Sequence, residues 1–168
     1  MKSKYKFRYF RLNYFLRKLY SLKFLNFIFT EDFLREKIFK YIFLSGYWLD
    51  YNLDKNHSRS GNGSNLDQSE YLKKELKIFF KEKKIRKILD IGCGDFKWMS
   101  SLLKEIDYDS YTGIDIVDFL INENINKYKN NKIKFVKMDI VKDDMNFLDK
   151  YDFILIRHVF IHLKNSNI

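Results

Sequence analysis

The sequence predicts an α/β domain built on a mostly parallel sheet with helices packed on it, preceded by a basic helical region. Three observations carry this. From Leu66 onward, short apolar runs alternate with stretches of helical spacing. The links between them are short. An acid–glycine turn, Asp90-Ile91-Gly92-Cys93-Gly94-Asp95, falls where a strand hands over to a helix. Alternation with short links sets strands side by side and parallel, with the helices on the sheet faces.

Two regions are expected, 1–56 and 57–168. In the first, eight Lys and Arg residues precede the first acid, Glu31, and aromatic residues lie between them at spacings of three and four, which favours helix. Thr30 followed by Glu31 and Asp32 offers a cap and an acidic first turn, so a helix is predicted from Glu31 to about Phe43, ending near Gly46. The run His57–Asn65 reads as a loop by composition. Gly61 and Gly63 would also suit a flap that approaches a ligand closely. Beyond it, Leu72, Leu76, Phe79 and Phe80 form one helical face. Strands are predicted at 85–91, 111–116, around Ile133–Val136 and at 151–156. Helices are predicted around Met99–Ile106, around Ile121, Ile125 and Tyr128, and starting near His158.

The bulk composition narrows the class. The chain is 46% hydrophobic and 32% charged, as a globular protein is. Its formal charge of +10 attracts polyanions: nucleic acid, anionic lipid or phosphorylated substrates. Lysine also simply keeps an aromatic-rich chain soluble. The basic aromatic region can pack on the domain, lie on an anionic membrane surface or meet RNA. Cys93 is the single cysteine, which excludes an internal disulfide and a multi-cysteine zinc site. A reducing, cytoplasmic location follows as the simplest expectation, with peripheral contact at the inner membrane face as a variant. No stretch reaches the roughly 18 apolar residues of a spanning helix, and no signal-peptide pattern is present.

The glycine turn carries the chemistry. A nucleoside ligand lies across the carboxyl ends of parallel strands, against the first such turn. Gly92 and Gly94 remove side chains there and permit unusual backbone angles, and the following helix start offers N–H groups. A dinucleotide fingerprint would need a glycine where Lys97 stands. An acid at Asp90 instead suits a ligand with a cationic amine. Asp115, closing the run Tyr111-Thr112-Gly113-Ile114-Asp115, stands one strand–helix–strand unit later, where a carboxylate can accept ribose hydroxyls.

On these residues the chain resembles class I S-adenosylmethionine (SAM)-dependent methyltransferases, whose first motif reads acid-x-Gly-x-Gly-x-Gly. Asp90, Gly92 and Gly94 match, and Phe96 stands in place of the third glycine. The resemblance covers about Ser60 to Ile168. It implies a Rossmann-like three-layer αβα fold, SAM as cofactor, and methyl transfer. It also implies that Asp90, Gly92, Cys93, Gly94, Ile116 and Arg157 contact the cofactor and that Asp115 holds its ribose. Asp139 would read the adenine between Met138 and Ile140, and Arg157 and His158 would lie near the transferred methyl group. His158 is the candidate general base, with a packing histidine as the alternative. Arg157 suits an anionic substrate or a local acid such as Asp152. Trp98 suits helix packing or the methionine pocket, and Cys93 a small turn residue. His158 and His162 lack a third metal ligand, so no metal is expected.

The loop 60–66 with Asp95-Phe96-Lys97-Trp98-Met99 is similar to a bacterial subgroup associated with sugar or surface-polysaccharide metabolism. The expected acceptor is therefore a small molecule or carbohydrate. The resemblance implies more strands than the four read here. A fragment, a frameshifted remnant and a chain completed by a partner are the competing accounts, with C-terminal truncation favoured. A noncatalytic SAM-binding or interaction module is the alternative function.

Overall fold

A computed structural model describes residues 31–46, 58, 60, 66–128 and 130–163, without the side chains of 31–33 and 66–68. The basic stretch before Glu31, the Thr30 cap and most of the loop 57–65 lie outside the described residues. The chain divides into two compact units, 1–36 and 37–168. In the first, residues 31–36 form the start of helix α1, Glu31–Ser45.

In the second unit, α1 ends where Gly46 takes φ 62° and donates its N–H to the Phe43 carbonyl at 3.1 Å, as a left-handed cap does. Phe43 packs with Val117 and Leu120. Helix α2, Leu66–Lys83, leads into β1, Lys87–Ile91. Helix α3, Lys97–Leu103, connects to β2, Ser110–Asp115. Helix α4, Asp118–Lys127, connects to β3, Ile133–Lys137, and β4 is Phe153–Ile156. All three strand pairings are parallel, in the order β3-β2-β1-β4.

Strand alternation sorts the core into two faces. Ile88, Tyr111 and Phe135 face α2, α3 and α4, where they meet Phe80, Met99, Leu102 and Ile121. Leu89, Ile91 and Ile114 face the other way and are covered by Val136, Met138, Ile140 and the segment reaching Tyr151. Asp152 ties β4 to β1 by accepting the N–H groups of Arg86 and Lys87, both at 2.8 Å. Those two donors hold its carboxyl below the usual range.

Three sequence expectations shift. Phe79 and Ile125 are 39% and 45% exposed. The buried stripe of α4 is Leu120, Ile121 and Asn124, so Ile125 falls on its outer edge. The helix expected near His158 is only a 3₁₀ turn, Phe160–His162. Among the described residues, no helix is long and apolar enough to cross a membrane.

Candidate nucleoside site at the carboxyl ends of the strands

The sheet register places the site. Asp90 pairs with Gly113 on one side and Leu155 on the other. Asp115 and Arg157 therefore stand two residues beyond that row, flanking the turn that starts at Gly92. Alternation sends Asp90, Asp115 and Arg157 toward the same sheet face. Four of the residues expected from the sequence, Asp90, Gly92, Gly94 and Asp115, are thus brought together, with Arg157 beside them.

The turn is held mainly by the strand next to it. Gly92 and Cys93 donate their N–H groups to the Ile114 carbonyl at 2.8 and 3.0 Å. Gly92 and Gly94 take φ 77° and 56°, a left-handed region that suits glycine. Each also faces a neighbour. A Cβ on Gly92 would lie 2.4 Å from Val159 Cγ2, and one on Gly94 would lie 2.5 Å from Ser60 Oγ. Phe96, at the position of the third glycine, also has a left-handed backbone, φ 58°. That explains why glycine suits the position in the general pattern. Here the side chain compensates: Phe96 is 1% exposed and its ring lies 4.8–5.0 Å from those of Tyr111, Tyr128 and Phe135.

Asp115 is partly buried and anchored by two main-chain donors. Gly94 N–H reaches Oδ2 at 3.0 Å and Val117 N–H reaches Oδ1 at 2.9 Å. Burial nevertheless pushes its carboxyl up. Each carboxylate oxygen has a second lone pair, so a ribose diol remains compatible with this anchoring. The residues present therefore fit a nucleoside: a left-handed glycine turn with an oriented acid at the neighbouring strand end.

Asp90 is 3% exposed and accepts the Tyr111 hydroxyl at 2.8 Å. Burial pushes its carboxyl up to about 7, helped by the Asp115 charge and opposed by Tyr111 and Arg157. Its influence on a ligand is thus electrostatic, from beneath the turn. The Arg157 guanidinium lies 5.1 Å from the centre of the Trp98 ring, within cation–π range. Burial lowers its pKa while the Asp90 charge opposes that. Asp152, one partner expected for Arg157, is engaged by Arg86 and Lys87 instead. Trp98 is 5% exposed within the core, so it packs as a helix residue and also carries Arg157.

The remaining expected residues are more dispersed. The Cys93 thiol faces the core, 3.0 Å from where a Gly113 Cβ would be. Burial raises its pKa well above the usual value, so only the main chain of Cys93 serves the turn. Ile116 packs with Phe43, Val117 and Leu120. Met138 and Ile140 pack against Leu89, Ile91 and Ile114. Asp139, just beyond β3, accepts Val141 N–H at 3.0 Å and donates its own N–H to Asp143 at 2.9 Å. His158 is exposed, with φ 57°. His162 lies edge-on to Phe39, ring centres 5.5 Å apart, and burial, then His158, lowers its pKa. Among the described residues, no group of three metal-ligating side chains forms.

Four contributors escaped the sequence reading. Tyr111 holds Asp90. Asn124 donates to the Gly94 carbonyl at 2.8 Å. Ser58 donates to Asp95 at 2.8 Å, and Asp95 N–H donates to Ser60 Oγ at 2.9 Å. Two signals pointed toward them: Asn124 is a polar residue on an apolar helical stripe, and Ser58 and Ser60 lie in the loop read as a flap near a ligand.

A parallel sheet with a left-handed glycine turn after its first strand and an anchored acid after its second defines a nucleotide-type α/β domain. The chain belongs to the methyltransferase-domain family, whose sequence profile matches residues 64–167. No curated protein sequence matches it at a significant level. Among solved structures, the methyltransferase domain of the bacterial protein CtHen1-C is 23% identical with a TM-score of 0.50, covering 61% of this chain and 55% of that one. Magnesium protoporphyrin IX methyltransferase from Synechocystis PCC 6803 with bound S-adenosylhomocysteine (SAH) is 15% identical with a TM-score of 0.54, covering 79% and 60%. The N-methyltransferase NodS from Bradyrhizobium japonicum WM9, also with SAH, is 19% identical with a TM-score of 0.50, covering 69% and 53%. The chain thus spans little more than half the length of these structures.

Proposed function

We propose that this chain forms the cofactor-binding part of a SAM-dependent methyltransferase acting on a small-molecule or carbohydrate acceptor. The observation that carries the reading is Asp115. It is a partly buried carboxylate at the end of β2, fixed by Gly94 and Val117 N–H groups beside a turn of left-handed glycines. In this reading Asp115 accepts the ribose hydroxyls, and the Gly92–Gly94 main chain lies along the methionyl part. Asp90 supplies negative potential for the cationic amine and Arg157 attracts the carboxylate. Asp139, with Met138 and Ile140, contacts the adenine.

Bound SAM supplies a methyl group activated by its sulfonium. The protein contributes alignment and a base: an imidazole nitrogen of His158 takes the proton released by an acceptor hydroxyl. The carbohydrate acceptor, and a role in surface-polysaccharide metabolism, rest on the sequence similarity around Asp95–Met99. Peripheral attachment to an anionic membrane rests on the basic residues before Glu31.

Calorimetric titration with SAM and SAH tests the cofactor. Saturable binding of both is expected, with at least a tenfold loss in D115A, about 1.4 kcal/mol. Absence of binding by folded wild-type protein would refute the proposal. Transfer of labelled methyl from SAM to sugar acceptors, compared between wild type and H158A, then tests the enzyme reading. Binding without turnover would favour the noncatalytic module.

A further inference from the structure

We propose that Asn124 is a positioning residue for the nucleoside site, setting the Gly94 turn and, through it, the Asp115 carboxylate. This rests on the methyl-transfer reading of the site, and it adds a residue from outside the turn and the strand ends.

Gly94 is gripped on both sides. The peptide before it donates its N–H to Asp115 Oδ2 at 3.0 Å, and the carbonyl of the peptide after it accepts from Asn124 Nδ2 at 2.8 Å. The φ and ψ of a residue are the relative orientations of those two peptides. Glycine has more backbone freedom than any other residue, so each grip removes motion that the turn would otherwise retain. Loss of the Asn124 grip frees the second peptide and, with it, the direction of the Gly94 N–H that orients Asp115.

Asn124 is built for this contact. It is 3% exposed on the α4 stripe that also holds Leu120 and Ile121. A buried amide there is costly unless it forms a hydrogen bond, and an apolar residue would serve packing as well. The two grips come from adjoining elements, Asp115 at the end of β2 and Asn124 within α4. Asp115 accepts the Val117 N–H at the start of α4, and Asn124 O accepts the Tyr128 N–H at its end, at 2.9 Å each. The start of the helix is thus tied to one of the side chains that hold Gly94, and the helix itself carries the other.

The test is SAH affinity of N124L and N124D, each in the wild-type and the D115N background, with folding followed by circular dichroism. Both Asn124 variants should bind SAH at least tenfold more weakly than wild type. In D115N the same changes should cost threefold or less, because a residue acting through Asp115 has little left to position. A purely structural residue would cost the same factor in both backgrounds, and that result overturns the proposal. So does wild-type affinity in a folded Asn124 variant. Should neither variant fold, hydrogen exchange in the wild-type protein decides: an Asn124 side-chain amide clamped on the Gly94 carbonyl exchanges far more slowly than exposed side-chain amides, and rapid exchange refutes the clamp. A wild-type chain that is folded but binds no SAH defeats the methyl-transfer reading itself, a result distinct from unaffected Asn124 variants.

Discussion

Replacing Asp90 by asparagine should make the protein more stable, and increasingly so as the pH rises. Asp90 is 3% exposed and its carboxyl is pushed from 3.8 to about 7, chiefly by burial. The unfolded chain releases this proton near 3.8 while the folded chain keeps it until about 7. Between those values the folded state binds more protons, so stability falls as the pH rises through that interval and levels off above it. One pKa unit corresponds to about 1.4 kcal/mol. Between pH 5 and pH 8 roughly two units of this penalty accumulate, on the order of 3 kcal/mol. Asparagine has no charge to bury, and its amide oxygen can still accept the Tyr111 hydroxyl. Urea unfolding of wild type and D90N, followed by circular dichroism at several pH values between 5 and 8, measures the difference directly. The stability advantage of D90N should grow by about 3 kcal/mol over that range. An advantage that stays constant, or shrinks, would refute the burial argument.

Three further outcomes are expected. At Phe96 the usual order of alanine and glycine should reverse. Both variants lose a buried ring, a loss of about 3–5 kcal/mol, but glycine relieves the left-handed backbone by about 1 kcal/mol, so F96A should unfold at lower urea than F96G. The Cys93 thiol, buried with its pKa raised well above the usual value, should resist Ellman's reagent at pH 8 in the folded protein and react fully in urea; fast reaction of native protein would place it outside the core. SAM should bind more tightly as Asp90 ionises above about pH 7, because its charge then adds negative potential beneath the turn for the cationic amine. Titrations at pH 6 and 8 should show this gain for wild type and not for D90N.

The parallel α/β class, the four strands and the acid–glycine turn were legible in the sequence because each is a local signal. Strands are short apolar runs, helices repeat near every third or fourth residue, and a turn needing left-handed angles announces itself by glycine. Asp90 and Asp115 were legible because strand ends could be counted along the chain. What held them was not. The Tyr111–Asp90, Asn124–Gly94 and Ser58–Asp95 bonds join residues 21, 30 and 37 positions apart, and no local spacing encodes such contacts. The same distance separates the reasons for the glycines from the glycines themselves. Gly92 faces Val159, and Gly94 faces Ser60.

The sequence by itself determined the order of elements and the residue types at the strand ends, since backbone preference and hydrophobic period act over a few neighbours. Only the tertiary structure decided which face Asp90 occupies, that Arg157 lies over Trp98 rather than pairing with Asp152, and that the Cys93 thiol turns into the core. Those outcomes depend on sheet register and on which groups exclude water from one another, quantities that exist only once distant segments have packed.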